Sequence, residues 1–347
     1  MSSILIVSDY RGAFWSSTTN VKTLTTVSTD KIISNLTDYG HKVMTCQFSE
    51  LKYDTNYSDT YVWYTSSEDY GLLYKSYVED AILALKEKGA ILLPDYKYLR
   101  AHHNKCFMEM LRIAIMPKQN ETLMTRTFGT FEELQKAIRN EGWEEKKYVI
   151  KSAYGAGSSG VSSADSLKKL GIEAKRVSKS KQIIGLLKEL RRIVLWKGYI
   201  RQSLHAQKFI VQNFIEGLQG DYKVLIYGKR YYLLYRKNRE NDFRASGSGR
   251  LHFDLPDNVD VEKLLAYAEE IYKVLDVPMC SLDIASTENT FVLIEYQCVC
   301  FGPYTAERST GYYVKKEDKW EMVTESCDLE RIMSESIISY IKNYNHL

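Results

Sequence analysis

Ser281-Leu-Asp283-Ile-Ala285 and Phe291-Val-Leu-Ile-Glu295-Tyr-Gln297, separated by the turn-like Ser286-Thr-Glu-Asn-Thr290, read as a β-hairpin. A turn centred near residue 289 sets Asp283 opposite Glu295. Side chains alternate along a strand, so Gln297 shares the face of Glu295. Two facing carboxylates repel unless a cation lies between them, and the Gln297 amide oxygen adds a third hard donor. An oxygen-only set of this kind suits Mg²⁺. A solvated acidic patch is the competing reading. Leu282, Ile284 and the apolar run around Glu295 favour a buried sheet instead, where unpaired carboxylates are costly.

A second hairpin lies upstream. Phe209-Ile-Val-Gln212-Asn-Phe-Ile-Glu216-Gly217 leads into Asp221-Tyr-Lys-Val-Leu-Ile-Tyr227, and Gly228-Lys229 forms a two-residue loop before Arg230–Arg236. A loop that starts with Gly fits a type II′ turn. Asp221 then falls opposite Arg236. Beyond it, Asn238-Arg-Glu-Asn-Asp242-Phe-Arg244 opens a polar loop. Arg236 and Arg244 suit phosphate or carboxylate, because the guanidinium fork binds both bidentately. The plainer alternative is a cross-strand Asp221–Arg236 ion pair, worth under about 1 kcal/mol if exposed.

Further toward the N-terminus, the strand Tyr148-Val-Ile-Lys151 meets Ser152-Ala-Tyr-Gly155-Ala-Gly157-Ser-Ser-Gly160. This matches GxGxxG, but it lies mid-chain, and a basic block stands where a dinucleotide fold would want an acid. A P-loop would put lysine after the glycines, and Lys151 precedes them. What remains is a loop whose N–H groups can approach phosphate, with a lysine at the end of the preceding strand. An ordinary turn with a surface lysine stays as the alternative.

The first hundred residues alternate strand and helix patterns with glycine stops: Ile4–Val7, a helix over Asp30–Tyr39, His41–Phe48, Tyr61–Tyr64, a helix from Tyr74 to Lys88, and Ala90–Pro94. That alternation predicts an open, mostly parallel sheet. Helices follow at Asn104–Ile115 and after the capping box Thr130-Phe-Glu-Glu133, then at Ile183–Ile193, Val261–Leu275 and Leu329–Asn343.

The order strand–Lys151–glycine loop, Gln212-Asn-Phe-Ile, Asp221-Tyr-Lys, Asp242-Phe-Arg and Asp283…Glu295-x-Gln297 resembles the ATP-grasp superfamily. It is most similar to the ribosomal-protein-modification and peptide-ligase branch. The resemblance runs from about residue 100 to the end. It implies an α+β / α/β fold with an N-terminal α/β pre-grasp domain (1–100) and an ATP-grasp domain (101–347). The latter would comprise a lid subdomain near 122–211 and a C-terminal antiparallel-sheet subdomain near 212–347.

The resemblance also implies roles. Lys105 and Lys151 would contact ATP phosphates, and the loop carrying Gly155, Gly157, Ser158, Ser159 and Gly160 would close over them. Gln212 and the backbone of Asn213, Phe214 and Ile215 would read adenine. Asp221 would hold the ribose, with Lys223 beside it in the nucleotide set. Arg236 and Arg244 would face the transferring phosphoryl group or the substrate carboxylate. Asp283, Glu295 and Gln297 would hold Mg²⁺. The sequence departs from the family at Gln297, where Asn is usual, and at Cys298-Val-Cys-Phe-Gly302-Pro303-Tyr304. The implied activity is ATP-dependent activation of a carboxylate as an acyl phosphate and its joining to an amine, an amino acid or a peptide. A small-molecule kinase and a nucleotide-binding regulator without chemistry are the alternatives on this scaffold, and a dinucleotide oxidoreductase is a third rival. Tyr304, Arg308, Tyr312 and Tyr313 lie just past the metal strand, where a substrate or a plain surface loop fits equally.

Composition bounds the rest. The chain has 347 residues, 44% hydrophobic and 26% charged, with a net charge of +3. This length and balance argue for two or three domains and against disorder. No apolar run approaches the roughly 18 residues of a membrane span, and Met1–Asp9 reads as a strand rather than a signal peptide. Six scattered cysteines without a CxxC pair fit a reduced, cytoplasmic protein. The charge is uneven: twelve Lys/Arg against two Glu between Lys168 and Lys208 leave the remainder at −7. That basic stretch, 168–208, exceeds what one nucleotide needs and suggests an acidic second partner, a peptide or a polyanion. The oligomeric state stays open, a homodimer included.

Overall fold

The structure is a computed structural model that describes residues 3–20, 23–155, 160–180, 183–256, 259–287 and 290–344. Gly157, Ser158 and Ser159 of the glycine-rich loop lie outside the described residues. The chain forms two compact units. One joins Met1–His102 to Leu218–Leu347, and the other is His103–Gly217. The sequence reading divides the chain differently, at residues 100, 122 and 212.

The first segment of the larger unit contains β1 (Ser3–Ser8), β2 (Ser16–Asn20), β3 (Thr23–Thr26), α1 (Thr29–Asp38), β4 (Lys42–Gln47), β5 (Thr60–Tyr64), α2 (Leu73–Glu87), β6 (Ile91–Leu93) and α3 (Tyr96–Ala101). As the alternating pattern predicts, β4-β1-β5-β6 form a parallel sheet. Helix α1 starts where Ser28 Oγ accepts the Lys31 N–H, buries Ile32 and Leu36, and ends before Gly40 at φ +85°. The polar stretch after β1 carries the β2–β3 hairpin.

The smaller unit runs through α4 (Lys105–Ile115), β7 (Arg126–Phe128), α5 (Phe131–Glu141), β8 (Tyr148–Ser152), β9 (Val161–Ala164), α6 (Leu167–Ser178), α7 (Ile183–Leu195) and β10 (Phe209–Asn213). Its sheet is antiparallel in the order β7-β10-β8-β9. The expected capping box forms: Glu133 N–H donates to Thr130 Oγ1 at 3.2 Å, and Thr130 N–H donates to Glu133 Oε2 at 3.1 Å. Helices α5 and α6 close one core over the sheet through Phe131, Leu134, Leu170 and Ala174 against Tyr148, Ile150, Phe209 and Val211.

The larger unit resumes with β11 (Gly220–Tyr227), β12 (Arg230–Lys237), β13 (Leu251–His252), α8 (Val261–Leu275), β14 (Met279–Ser286), β15 (Phe291–Gln297), α9 (Tyr304–Arg308), β16 (Gly311–Lys316), β17 (Lys319–Thr324) and α10 (Leu329–Tyr344). Strands β15-β14-β11-β12-β16-β17 make an antiparallel sheet with β13 on β12. Tyr312 and Tyr313, for which a surface loop was one expectation, lie within strand β16. The core of this unit draws on both chain segments: Ile4, Ile6, Trp63 and Leu93 pack with Leu225, Tyr227, Ile337 and Ile341. Ser28 N–H donates to Glu330 Oε1 at 2.9 Å across the same junction. No helix among the described residues is long and apolar enough to cross a membrane.

Candidate active site

The two hairpins read from sequence form in the register expected at their functional ends. On β14 and β15, Asp283 pairs with Glu295, and Ser281 pairs with Gln297. Toward the turn the register slips by one, so Ile284 faces Leu293 and Ile294 is left over as a bulge. Directly opposed residues share a face. The bulge therefore lets Leu293 stay buried with Ile284 on one face while Glu295 joins Asp283 on the other. A regular strand would have placed Leu293 and Glu295 on the same side.

On β11 and β12, Asp221 pairs with Arg236 and Tyr227 with Arg230 around Gly228 at φ +59°. The cross-strand Asp221–Arg236 ion pair given as the alternative forms, and it is buried, so the small energy of an exposed pair does not apply. Arg236 Nε donates to Asp221 Oδ1 at 2.7 Å and Nη2 to Asp221 Oδ2 at 2.8 Å. The same Nη2 lies 2.7 Å from Asp283 Oδ2. Lys223 Nζ closes the cluster, 3.2 Å from Asp283 Oδ1 and 2.8 Å from Ser281 Oγ. Two carboxylates and two cations thus occupy neighbouring strands on one sheet face, and each charge has a partner. The compensation that the sequence reading required for Asp283 comes from these side chains.

Protonation follows from this arrangement. Burial pushes the Asp283 carboxyl up, but Arg236 and Lys223 more than offset it and hold the group below the ordinary carboxylate value. Burial raises Asp221, against the attraction of Arg236 and with the repulsion of Asp283. Burial opposes the charge on Arg236, yet Asp283 and Asp221 raise its pKa. Arg244 lies in the loop between β12 and β13. Its Nε donates to Asp242 Oδ1 at 2.9 Å, and its hydrogen bonds hold Asp242 below the usual carboxylate range.

In the smaller unit, α4 begins at Lys105 behind the Asn104 cap. Lys105 is buried, its N–H donates to Ala153 O at 2.9 Å, and its Nζ donates to Gly155 O at 2.7 Å. The predicted phosphate lysine therefore holds the first turn of the glycine-rich loop. Lys151 sits on the central β8 between Ile210 and Val161. The far end of the loop is fixed where Ser152 N–H donates to Gly160 O at 2.9 Å. Gly160 has φ +74°, and a Cβ there would meet the Ser152 Cβ at 3.0 Å. This approach requires glycine.

Gln212 is turned inward. Its Nε2 donates to Thr125 Oγ1 at 2.9 Å and to Glu109 Oε1 at 3.3 Å, and Arg112 bonds both Glu109 and Thr125. Burial raises the Glu109 carboxyl, opposed by Arg112 and Lys151. The sequence reading missed this network. Its signal was present as two charged residues, Glu109 and Arg112, three apart on the buried face of α4. In the segment that follows, Asn213 N–H donates to Leu123 O at 2.8 Å and Phe214 N–H to Lys147 O at 3.2 Å. Lys147 Nζ also stands 3.7 Å from the Phe214 ring centroid.

No protein-family model matches the sequence, and no curated protein matches it. Solved structures do. A RimK domain ATP-grasp protein from Sphaerobacter thermophilus aligns with a TM-score of 0.51 at 12% identity, over 97% of this chain and 100% of that one. D-alanyl-alanine synthetase A from Vibrio cholerae aligns at 0.53 and 12% identity, over 99% and 98%. A RiPP-associated ATP-grasp ligase from Chryseobacterium gregarium, solved with ADP and a leader and core peptide, aligns at 0.50 and 14% identity, over 98% and 97%. These alignments span nearly the whole chain, and this protein has the ATP-grasp fold.

Proposed function

We propose that this chain is an ATP-dependent ligase that activates a substrate carboxylate as an acyl phosphate and joins it to an amine, releasing ADP and phosphate. The observation that carries this reading is the Asp283–Glu295 pair with Gln297, bulge-aligned on one face beside the Arg236 cluster. Lys105, Lys151 and the loop from Gly155 to Gly160 would bind the phosphates through charge and backbone N–H groups. With the Gln212 side chain engaged internally and the Asn213 and Phe214 N–H groups bonded, adenine reading falls to the carbonyls of this segment and to Ile215. Asp221, buried against Arg236, would act by positioning that arginine, and its burial weighs against an open contact with ribose.

The metal donors fit Mg²⁺. All are oxygens, and the contacts to Arg236 and Lys223 use one acceptor position on each Asp283 oxygen, leaving another on each. Mg²⁺ held by Asp283, Glu295 and Gln297 would neutralise phosphate charge. A carboxylate oxygen of the substrate would attack the γ-phosphorus, and the bond to the β-phosphate oxygen would break with its electron pair leaving on ADP. The amine would then attack the acyl carbon, lose a proton and expel phosphate. The contacts of Arg236 use Nε and Nη2, so Nη1 is the edge that would meet the transferring group. Arg244 would serve the same anionic reactants.

Two neighbouring structures support a reading of the substrate class. One is a D-alanyl-alanine synthetase and another holds a peptide, so the acceptor would be an amino acid or peptide. The six cysteines are unbridged, which agrees with a cytoplasmic setting. The test is ADP release against paired carboxylates and amines, peptides included. Release of both ADP and phosphate only when both substrates are present supports the ligase. A phosphorylated product without free phosphate would identify a kinase, and ATP binding without turnover a regulator.

A further inference from the structure

The apolar row of α7 faces outward. Its one acidic residue, Glu189, is only 8% exposed and accepts from the Tyr199 hydroxyl at 2.8 Å and the Gln202 N–H at 2.9 Å. Leu186, Leu187, Leu190 and Val194 follow the spacing of a helical apolar stripe, yet Leu187 is 61% and Val194 81% exposed. The exposed row continues past the helix end through Trp196 at 67% and Ile200 at 86%. Lys188, Arg191 and Arg192 on the same helix and Lys197 and Arg201 in the segment after it are all exposed. Aliphatic side chains therefore line one side of α7, and cations stand on the sides around it, Arg192 within 4.0 Å of Glu189.

The occupant must be apolar and anionic at once. A second copy of this chain would bring the same five cations against one another, which opposes pairing of two α7 helices. An acidic peptide wants a groove, whereas α7 is exposed on nearly every side among its described residues and forms a ridge. An anionic bilayer matches both properties in one plane: headgroups meet Lys and Arg, and the acyl boundary takes the aliphatic row. Long basic side chains reach headgroups while their stems stay on apolar surface, and Trp favours the interface between the two. We propose that α7 and the segment through Ile200 form a peripheral docking surface for an anionic lipid bilayer. This accounts for five of the twelve cations in 168–208 and is independent of the ligase reading.

The test is co-sedimentation of the whole chain with phosphatidylcholine vesicles, with and without about one-third phosphatidylserine. Binding to the anionic vesicles alone, lost at high salt, is the expected result, with a blue shift of Trp196 emission that Trp196→Phe removes. Leu187→Glu with Val194→Glu should abolish binding without altering thermal stability, since both side chains already face solvent. Lys188→Gln with Arg191→Gln should weaken it about fivefold per charge removed. Absence of vesicle binding, or equal binding to neutral vesicles, overturns the proposal. So does a dimer that Leu187→Glu with Val194→Glu dissociates, or preferential capture of an acidic peptide such as polyglutamate.

Discussion

Replacing Arg236 by Leu tests the centre of the candidate site. The guanidinium is buried and bonded to both Asp221 and Asp283, so its removal leaves two carboxylates close together, with Lys223 as the remaining cation, bonded to the Asp283 carboxylate and to Ser281. Breaking a buried charge cluster by deleting one partner costs about 3–5 kcal/mol. In a unit of about 230 residues a loss of that size lowers Tm by roughly 6–20 °C. The pH dependence gives a second signature. In the wild type, Asp283 is held below its ordinary value, so its contribution is present above the unfolded carboxylate pKa and is lost as pH falls below it. Without Arg236 both carboxyls rise, the folded variant binds more protons than its unfolded chain, and the variant's stability increases as pH falls. The Tm gap between wild type and Arg236→Leu should therefore narrow from pH 7 to pH 5 in scanning calorimetry. A gap under about 2 °C at pH 7, or one that does not change with pH, would refute the buried cluster.

Four further substitutions separate chemistry from architecture. Lys151→Ala and Glu295→Ala should each slow ATP turnover by about 10²-fold or more, and near-wild-type rates in both would remove the ligase proposal. Gln212→Leu leaves Thr125 and Glu109 short of a donor and should cost about 1–3 kcal/mol in denaturant unfolding; an unchanged midpoint would mean the network contributes little. Gly220→Ala places a Cβ 2.3 Å from the Arg236 carbonyl oxygen, so it should destabilise by at least about 1–3 kcal/mol. Soluble protein with wild-type Tm would contradict that close approach.

Short-range signals made much of this structure legible. Helix α8 begins and ends where the periodicity of Val261–Leu275 places it. The Thr130–Glu133 box forms because both partners lie three residues apart and need no distant context. The Asp283–Glu295 pairing follows from counting across a turn. The bulge at Ile294 was not readable, because no glycine marks it and it matters only through which face must stay buried. Hairpin β16–β17 was missed for a related reason. Its turn residues Glu317 and Asp318 both adopt positive φ, +45° and +66°, a conformation usually announced by Asn-Gly. The inward turn of Gln212 depends on Glu109, 103 residues away, a pairing that no local pattern encodes.

The larger unit's two chain segments also set an order of events during synthesis. Ile4, Ile6 and Trp63 emerge well before the side chains that complete their core, Ile337 and Ile341 among them. Domains usually fold from the N-terminus as the chain appears. Here the early parallel sheet must wait, with apolar surface uncovered, while His103–Gly217 can fold as soon as it is complete. Arrest of translation shortly before residue 329 should therefore yield a nascent chain whose middle resists protease and whose first hundred residues do not.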